Sequence, residues 1–341
     1  MRTRPAILAL TLALSVLLAH GLLVAAGDEP PPPWAYGFTS APGPSTNGAA
    51  PAAPAPAAAP APPPDTTPRQ VPGSPASFTL AEIRNGFGPA DWFPGDHPAM
   101  PEIVAHGKRP DVRACSLCHY PNGKGRPENA GVSGLPVSYF IQTMNDFKNG
   151  ARKSADARKA NTNIMIAIAK GMTDEEVKAA ADYFGAMKWT PWIKVVEAAT
   201  VPKTRIAGGM FLKLDGGETE PIGSRIIEMP EDTERTEVLR DPRSSFIAYV
   251  PVGSIKKGEA LVTTGGGKTT ACAVCHGPDL KGLGPVPGLA GRSPSYTARQ
   301  LYDTQHGVRS GVWADLMKPV VAKLTNDDML AIAAYAASLK P

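Results

Sequence analysis

The sequence CSLCH at residues 115–119 and the sequence CAVCH at residues 272–276 share the pattern C-x-x-C-H and contain all four cysteines of the chain. Two thiols one helical turn apart can form thioethers to both vinyl groups of one porphyrin, and the adjacent imidazole then lies under the iron. The pattern therefore predicts two covalently bound haem c groups. The predicted attachment residues are Cys115, Cys118, Cys272 and Cys275, and the predicted proximal ligands are His119 and His276.

A redox dithiol and a zinc ribbon are the alternatives for paired cysteines. A redox C-x-x-C requires no following histidine, and here the histidine is present in both motifs. A zinc ribbon closes its two cysteine pairs over about 15–20 residues, whereas 153 residues separate Cys118 from Cys272. Both alternatives are therefore less consistent with the sequence than covalent haem.

The chain contains an internal repeat in which the two haem motifs are equivalent. A spacing of 157 residues relates the motifs and holds as far as a pair of arginines, after which the spacing becomes 152. Two copies of one module are therefore present, and they differ by a five-residue insertion or deletion. The matching pairs include Tyr139 with Tyr296, Arg152 with Arg309, Met165 with Met317, and Thr173 with Thr325.

The second axial ligand of each iron decides whether a haem carries electrons or performs catalysis. A methionine thioether stabilises reduced iron, raises the reduction potential and blocks exogenous ligands. We expect Met165 and Met317 to be these ligands because both lie eight residues before the threonine that begins the next helix. Other methionines are interpreted as core residues, and His97, His106 and His306 as solvated or locally hydrogen-bonded, since none has a counterpart in the other copy.

Proximal histidines need hydrogen-bond partners that fix the orientation of the ring. We expect the backbone carbonyl of Pro127 to serve in the first copy and that of Pro285 or Pro287 in the second. Around the haem edge, tyrosines could donate hydrogen bonds and arginines could pair with propionates; buried core tyrosines and surface arginines are the alternatives. The residues concerned are Tyr139, Tyr296, Arg152 and Arg309.

The N-terminal quarter of the chain differs in composition from the rest. Two arginines and the apolar run Ala6–Ala26 predict a signal peptide at residues 1–26, with an uncleaved membrane anchor as the alternative. Residues 27–76 are rich in proline and alanine and are expected to form a disordered linker. Within it, the aromatic segment Trp34–Phe38 is either a docking segment or an arm packed on the chain's own folded part. Both N-terminal alternatives place the body of the protein in the periplasm.

Both modules are predicted to be helical. Thr173-x-x-Glu176 and Thr325-x-x-Asp328 are typical of capping boxes, and each precedes an apolar stripe at helical spacing. The domain boundaries predicted from these patterns are residues 77–190 and 256–341. Residues 191–255 between them contain β-favouring runs, including Met210–Leu214, Arg225–Glu228 and Phe246–Val250, and predict a small sheet or hairpin.

With histidine and methionine ligands in both copies, the chain resembles the periplasmic dihaem class I cytochromes c, two fused mono-haem domains of the cytochrome c4 type. The resemblance covers residues 95–190 and 255–341. It is carried by the two C-x-x-C-H motifs, the methionine-to-threonine spacings, PGLAG at residues 287–291 and AAY at residues 333–335. It implies a mainly α-helical fold around each haem and electron transfer between the two irons. The N-terminal linker and residues 191–255 depart from the short connection of that family.

The function that these features predict is electron transfer rather than catalysis. The expected donor is a quinol–cytochrome c reductase or a dehydrogenase, and the expected acceptor is an oxidase. A dihaem peroxidase, which needs an open iron site, and a cytochrome subunit of a membrane-bound dehydrogenase are the alternatives. Nothing suggests nucleic-acid binding, because the net charge is only +4 and the charges of both signs are interleaved. The locally basic stretch 148–159 is predicted either to steer an acidic partner or to be a solvated loop.

Overall fold

In both modules of the computed structural model, which describes residues 29–42 and 65–341, the predicted capping box begins a helix. The amide of Glu176 donates to Thr173 Oγ1 at 3.2 Å, and the amide of Thr173 donates to the Glu176 carboxylate at 2.7 Å. Thr325 and Asp328 form the same reciprocal pair, with both distances 3.2 Å. These bonds satisfy amides that a helix terminus otherwise leaves free.

The helices fall into two groups that follow the sequence repeat. The first module contains α2–α7, at Leu80–Ile83, Glu102–Ala105, Cys115–His119, Val137–Lys148, Ala160–Gly171 and Asp174–Gly185. The second module contains α8–α12, at Ser254–Thr264, Ala273–His276, Pro294–Gln305, Val312–Val321 and Asn326–Ser338. A one-turn helix, α1, precedes both at Pro33–Tyr36. Short 3₁₀ turns lie at Pro94–Asp96 and Gly265–Gly267, and a π turn lies at Glu234–Val238.

A small β-containing segment lies between the modules, as predicted. Its strands β1–β7 are Ile193–Glu197, Thr200–Pro202, Thr204–Ala207, Met210–Lys213, Thr219–Pro221, Ile227–Pro230 and Phe246–Val250. One sheet has the order β1-β7-β6, with β1 parallel and β6 antiparallel to β7. Strand β4, in the run that starts at Met210, pairs with β3 across Gly208-Gly209 in an antiparallel hairpin.

Helices α8 and α12 of the second module cross at very short range because α8 carries a glycine there. Gly258 lies against the backbone of Ala331, and a Cβ at position 258 would stand 2.0 Å from the carbonyl oxygen of Ala331. The same Cβ would stand 2.7 Å from Cβ of Tyr335. A side chain at position 258 therefore cannot be accommodated by a rotamer change alone.

We expect Gly258→Ala to lower the free energy of unfolding by about 1–3 kcal/mol, because overpacking forces the two helices apart. Denaturant unfolding of the haem-containing protein measures this change. Gly95→Ala is the matched control, since a Cβ at that position meets no atom within 4 Å and should change stability by about 0.5 kcal/mol at most. Equal unfolding midpoints for the two variants would contradict the tight helix crossing.

The prediction that residues 27–76 form a disordered linker was wrong for the parts of it that the structure describes. Residues 29–42, here called the N-terminal arm, include α1, and Trp34, Ala35 and Tyr36 are at most 5% exposed in the core of the second module. Further along, Val71 packs with Trp92 in a separate buried cluster. Proline-rich composition did not reveal that a few aromatic and aliphatic residues anchor these stretches.

For the segment Trp34–Phe38, the structure therefore supports an arm packed on the chain's own folded part. The predicted signal peptide or anchor at residues 1–26 lies outside the described residues, as do residues 43–64 of the linker. Among the described helices, none combines the length and apolar character that crossing a bilayer requires.

Candidate haem-binding site

The first C-x-x-C-H motif forms the one-turn helix α4, and the second forms α9 with Cys272 as its N-cap. Ser116 Oγ donates to the carbonyl of Val104 at 2.8 Å and fixes the first turn on α3. Burial raises the pKa of the Cys115 thiol to about 12 and that of Cys272 to about 11. A redox dithiol requires a thiol of lowered pKa, so these environments favour the covalent-attachment interpretation.

Each proximal histidine is held by a backbone carbonyl. Nδ1 of His119 lies 2.8 Å from the carbonyl oxygen of Ala130, and Nδ1 of His276 lies 2.8 Å from that of Pro287. A carbonyl can only accept, so Nδ1 carries the proton and Nε2 keeps its lone pair for a metal. Burial lowers the pKa of both imidazoles, which favours the neutral ring that binds iron.

The expectation of Pro127 as carbonyl partner was wrong, and of the two residues expected in the second module, Pro287 and not Pro285 is the partner. The carbonyl of Pro127 accepts instead from the guanidinium of Arg299 at 3.3 Å. Ala130 and Pro287 are related by the same 157-residue spacing as the two histidines. Because the acceptor is a backbone oxygen, its position in the repeat decides the contact and its residue type does not.

His119 and Met165 line the same cleft in the first module, with about 800 Å³ of empty space that opens to solvent. Its wall is largely apolar, and its rim carries basic and hydroxyl side chains from both modules. A flat apolar group with two carboxylates matches this lining, so the residues present fit a haem. The apolar wall consists of Val132, Leu135, Phe140, Met144 and Phe147.

The second module places the equivalent residues on equivalent elements. Met317 lies in α11, as Met165 lies in α6, and packs against the core of its module. Two of the three spare histidines have local partners: His97 lies 3.1 Å from the Asp91 carboxylate, and His306 Nδ1 lies 3.0 Å from the carbonyl of Tyr302. These contacts leave the two methionines as the stronger candidates for iron ligands.

An arginine of each module donates a hydrogen bond to the equivalent tyrosine of the other module. Arg152 donates to the hydroxyl of Tyr296 at 2.7 Å, and Arg309 donates to that of Tyr139 at 2.7 Å. Gln300 Oε1 accepts from both guanidinium groups, at 2.7 and 3.1 Å. Arg152 is only 6% exposed, which excludes the surface alternative for that residue. The crossed pairs give the two modules an approximately two-fold related contact beside the first cleft.

The prediction that the stretch 148–159 is either a basic surface that steers an acidic partner or a solvated loop was wrong for two of its five cations. Arg152 and Lys159 are buried, and Arg158 binds the Asp156 carboxylate at 2.6 Å. Arg158 also stacks on the Phe38 ring of the N-terminal arm, 4.1 Å from its centroid. The charge run was visible in the sequence, but the surfaces that cover it come from distant parts of the chain.

The two C-x-x-C-H turns differ in how far they are covered. The β-containing segment packs on the first turn, where the Arg240 guanidinium donates to the carbonyl of Leu117 and Tyr120 is buried in one cluster with Trp192. In the second module, Val274 is 67% exposed and Cys275 is exposed. Only the second of the two turns is therefore open to solvent.

Comparison with known proteins gives consistent matches. Residues 255–340 match the family model described as cytochrome c. The chain is 36% identical over 229 residues to a cytochrome c4 of Pseudomonas aeruginosa, covering 65% of this chain and 81% of that protein. It is 25% identical over 237 residues to a thiosulfate dehydrogenase electron acceptor of Stutzerimonas stutzeri, covering 68% and 82%. A crystal structure of reduced cytochrome c4 from Pseudomonas stutzeri matches 66% of the chain and 93% of its own, with 22% identity and a TM-score of 0.42.

Proposed function

The chain belongs to the cytochrome c4 family of dihaem electron-transfer proteins, and we propose that it carries electrons in the periplasm from a dehydrogenase or quinol-oxidising complex to an oxidase or another acceptor. Two covalently bound haem c groups are its cofactors. The observation that carries the proposal is that His119, oriented by a carbonyl, and Met165 line one cleft. The name of the Stutzerimonas relative supports a dehydrogenase as the donor class.

We assign the four cysteines to thioether attachment, His119 with Met165 to the first iron, and His276 with Met317 to the second. Each bound haem supplies one-electron Fe(III)/Fe(II) chemistry. The carbonyls of Ala130 and Pro287 keep both imidazoles in the tautomer that can bind iron. The apolar wall of the first cleft excludes water, and a thioether on the second side of each iron would leave no site for substrate.

The contacts between the modules suit transfer between the two haems. The crossed Arg–Tyr pairs fix one module against the other, and they are reinforced by backbone bonds from Lys153 N to Val308 O and from Ser310 N to Ala151 O, at 2.8 and 2.7 Å. Because the first C-x-x-C-H turn is covered and the second is exposed, we propose that the partner exchanges electrons through the second module.

The purified ferric protein should show the charge-transfer absorption of methionine-ligated iron(III) for both haems, and it should titrate in two one-electron steps. Methionine on the sixth site blocks exogenous ligands, so cyanide should bind slowly. Absorption spectroscopy during an anaerobic redox titration, followed by cyanide addition, measures all three properties. High-spin ferric haem that binds cyanide at once would favour the peroxidase alternative and contradict an electron carrier.

A further inference from the structure

A buried lysine that makes no hydrogen bond to the described residues lies in the cleft of the first module. Lys159 immediately precedes α6, is 3% exposed, and lines the cleft together with His119 and Met165. Its ammonium nitrogen makes no hydrogen bond to any part of the chain that the structure describes. Lys159 belongs to the stretch between Arg152 and Met165 that is five residues longer than its counterpart in the second module.

Each of the three carboxylates around Lys159 already has another partner through at least one oxygen. Asp156 pairs with Arg158 at 2.6 Å, and Asp303 accepts from the Tyr36 hydroxyl at 2.7 Å and from a backbone amide at 2.9 Å. Glu128 pairs with Arg126 at 2.6 Å through Oε1, and its Oε2 has no hydrogen-bond partner. An ammonium removed from water without an anion costs several kcal/mol, so an anion beside Lys159 would stabilise its charged form.

The side chains that line the cleft carry a net positive charge that such an anion would balance. Four cationic side chains and two carboxylates contribute to the lining, an excess of two positive charges that equals the charge of two ionised propionates. Burial, together with the nearby Arg299, lowers the pKa of Lys159 to about 7; a carboxylate in contact would oppose that effect. The charged residues that line the cleft are Arg152, Lys153, Lys159, Arg299, Glu128 and Asp303.

We propose that the Lys159 ammonium binds a propionate carboxylate of the first haem and raises the reduction potential of that haem. The inference rests on the proposed binding of this haem between His119 and Met165. A fixed positive charge in a poorly solvated cleft disfavours the more positive ferric state. The second module has the shorter loop and its haem should be insensitive to Lys159.

Lys159→Met in the haem-containing protein tests the proposal, because methionine preserves the side-chain length and removes the charge. One of the two one-electron equilibrium constants should fall about tenfold, a shift of about 59 mV to lower potential, and the other should not change. Lys159→Arg keeps the charge and should restore most of the potential. Lys170→Met is the matched control: it removes the same charge from an exposed position in α6, outside the lining of the cleft, and should shift the constant about twofold or less.

The stability of the folded protein is a second measurement, which distinguishes a Lys159 bound to a propionate from an unpaired Lys159. If Lys159 binds a propionate, Lys159→Met should lower the denaturant midpoint of the haem-containing protein; removal of an unpaired buried ammonium should raise it. The midpoint should fall equally in a Glu128→Gln background. A fall that disappears in that background would assign Lys159 to Glu128 and overturn the proposal.

Unchanged potentials in Lys159→Met, a shift in both haems, or an equal shift in Lys170→Met would each overturn the proposal. Lys159→Gln provides a second neutral variant if the methionine variant does not accumulate with haem. If the wild-type protein has two covalent haems and methionine-ligated iron, any of these results contradicts only the proposed role of Lys159. Absence of methionine ligation in the wild type contradicts the proposed function itself.

Discussion

In a Met165→His variant, the midpoint potential of one haem should fall on the order of 0.2 V, about a quarter of the ~0.8 V that axial ligands span in haem proteins. The thioether is a soft ligand that stabilises Fe(II), whereas a second imidazole favours Fe(III). Met317→His should produce the same change in the other haem. Spectroelectrochemical titration of both variants measures the effect, and the charge-transfer absorption of methionine-ligated iron should fall by half in each.

Met172→Leu provides the control for a methionine that does not bind iron. Met172 is 4% exposed in the core of the first module, and its counterpart in the second module is Leu324. A leucine conserves its volume and should cost less than about 1.5 kcal/mol of stability, with both potentials unchanged. If Met165→His left both potentials at their wild-type values, Met165 would not be an iron ligand.

The features that could be predicted from the sequence are those that depend on local spacing. A capping box needs only a threonine and an acidic residue three positions later, and both predicted boxes form. The fold class could also be predicted from local patterns, because the modules have apolar stripes at helical spacing and the segment between them has β-favouring runs. The family resemblance adds an expected chemistry, and the 36% identity to a cytochrome c4 over 229 residues confirms the family.

Contacts between distant segments could not be predicted because nothing in the local pattern encodes them. Tyr36 and Asp303 are 267 residues apart and meet only when the N-terminal arm packs on α10. The burial of Lys159 likewise depends on the cleft that both modules line. The carbonyl partner of His119 is a different case, since the repeat register would have identified Ala130 from Pro287. The two acceptors differ in residue type, so a match of proline with proline does not identify them.

Trp34→Ala should lower the free energy of unfolding by about 3–5 kcal/mol, because the indole is 5% exposed and its loss leaves a cavity in the core of the second module. Two hydrogen bonds that hold the N-terminal arm on α10 should weaken when the indole is lost. The Arg299 guanidinium donates to the carbonyl of Ala35, and the Tyr302 hydroxyl donates to that of Glu29 at 2.7 Å. Denaturant unfolding followed by haem absorption measures the loss.

Thr39→Ala is the matched control within the N-terminal arm, because Thr39 is exposed and its replacement should change stability by about 0.5 kcal/mol at most. The arm contacts both modules, since Phe38 stacks under Arg158 of the first and Tyr36 binds Asp303 of the second. Trp34→Ala should therefore lower the unfolding midpoint of both haem signals together. If only the second module were destabilised, the arm would belong to that module alone; equal midpoints for Trp34→Ala and Thr39→Ala would show that the arm contributes nothing to the folded state.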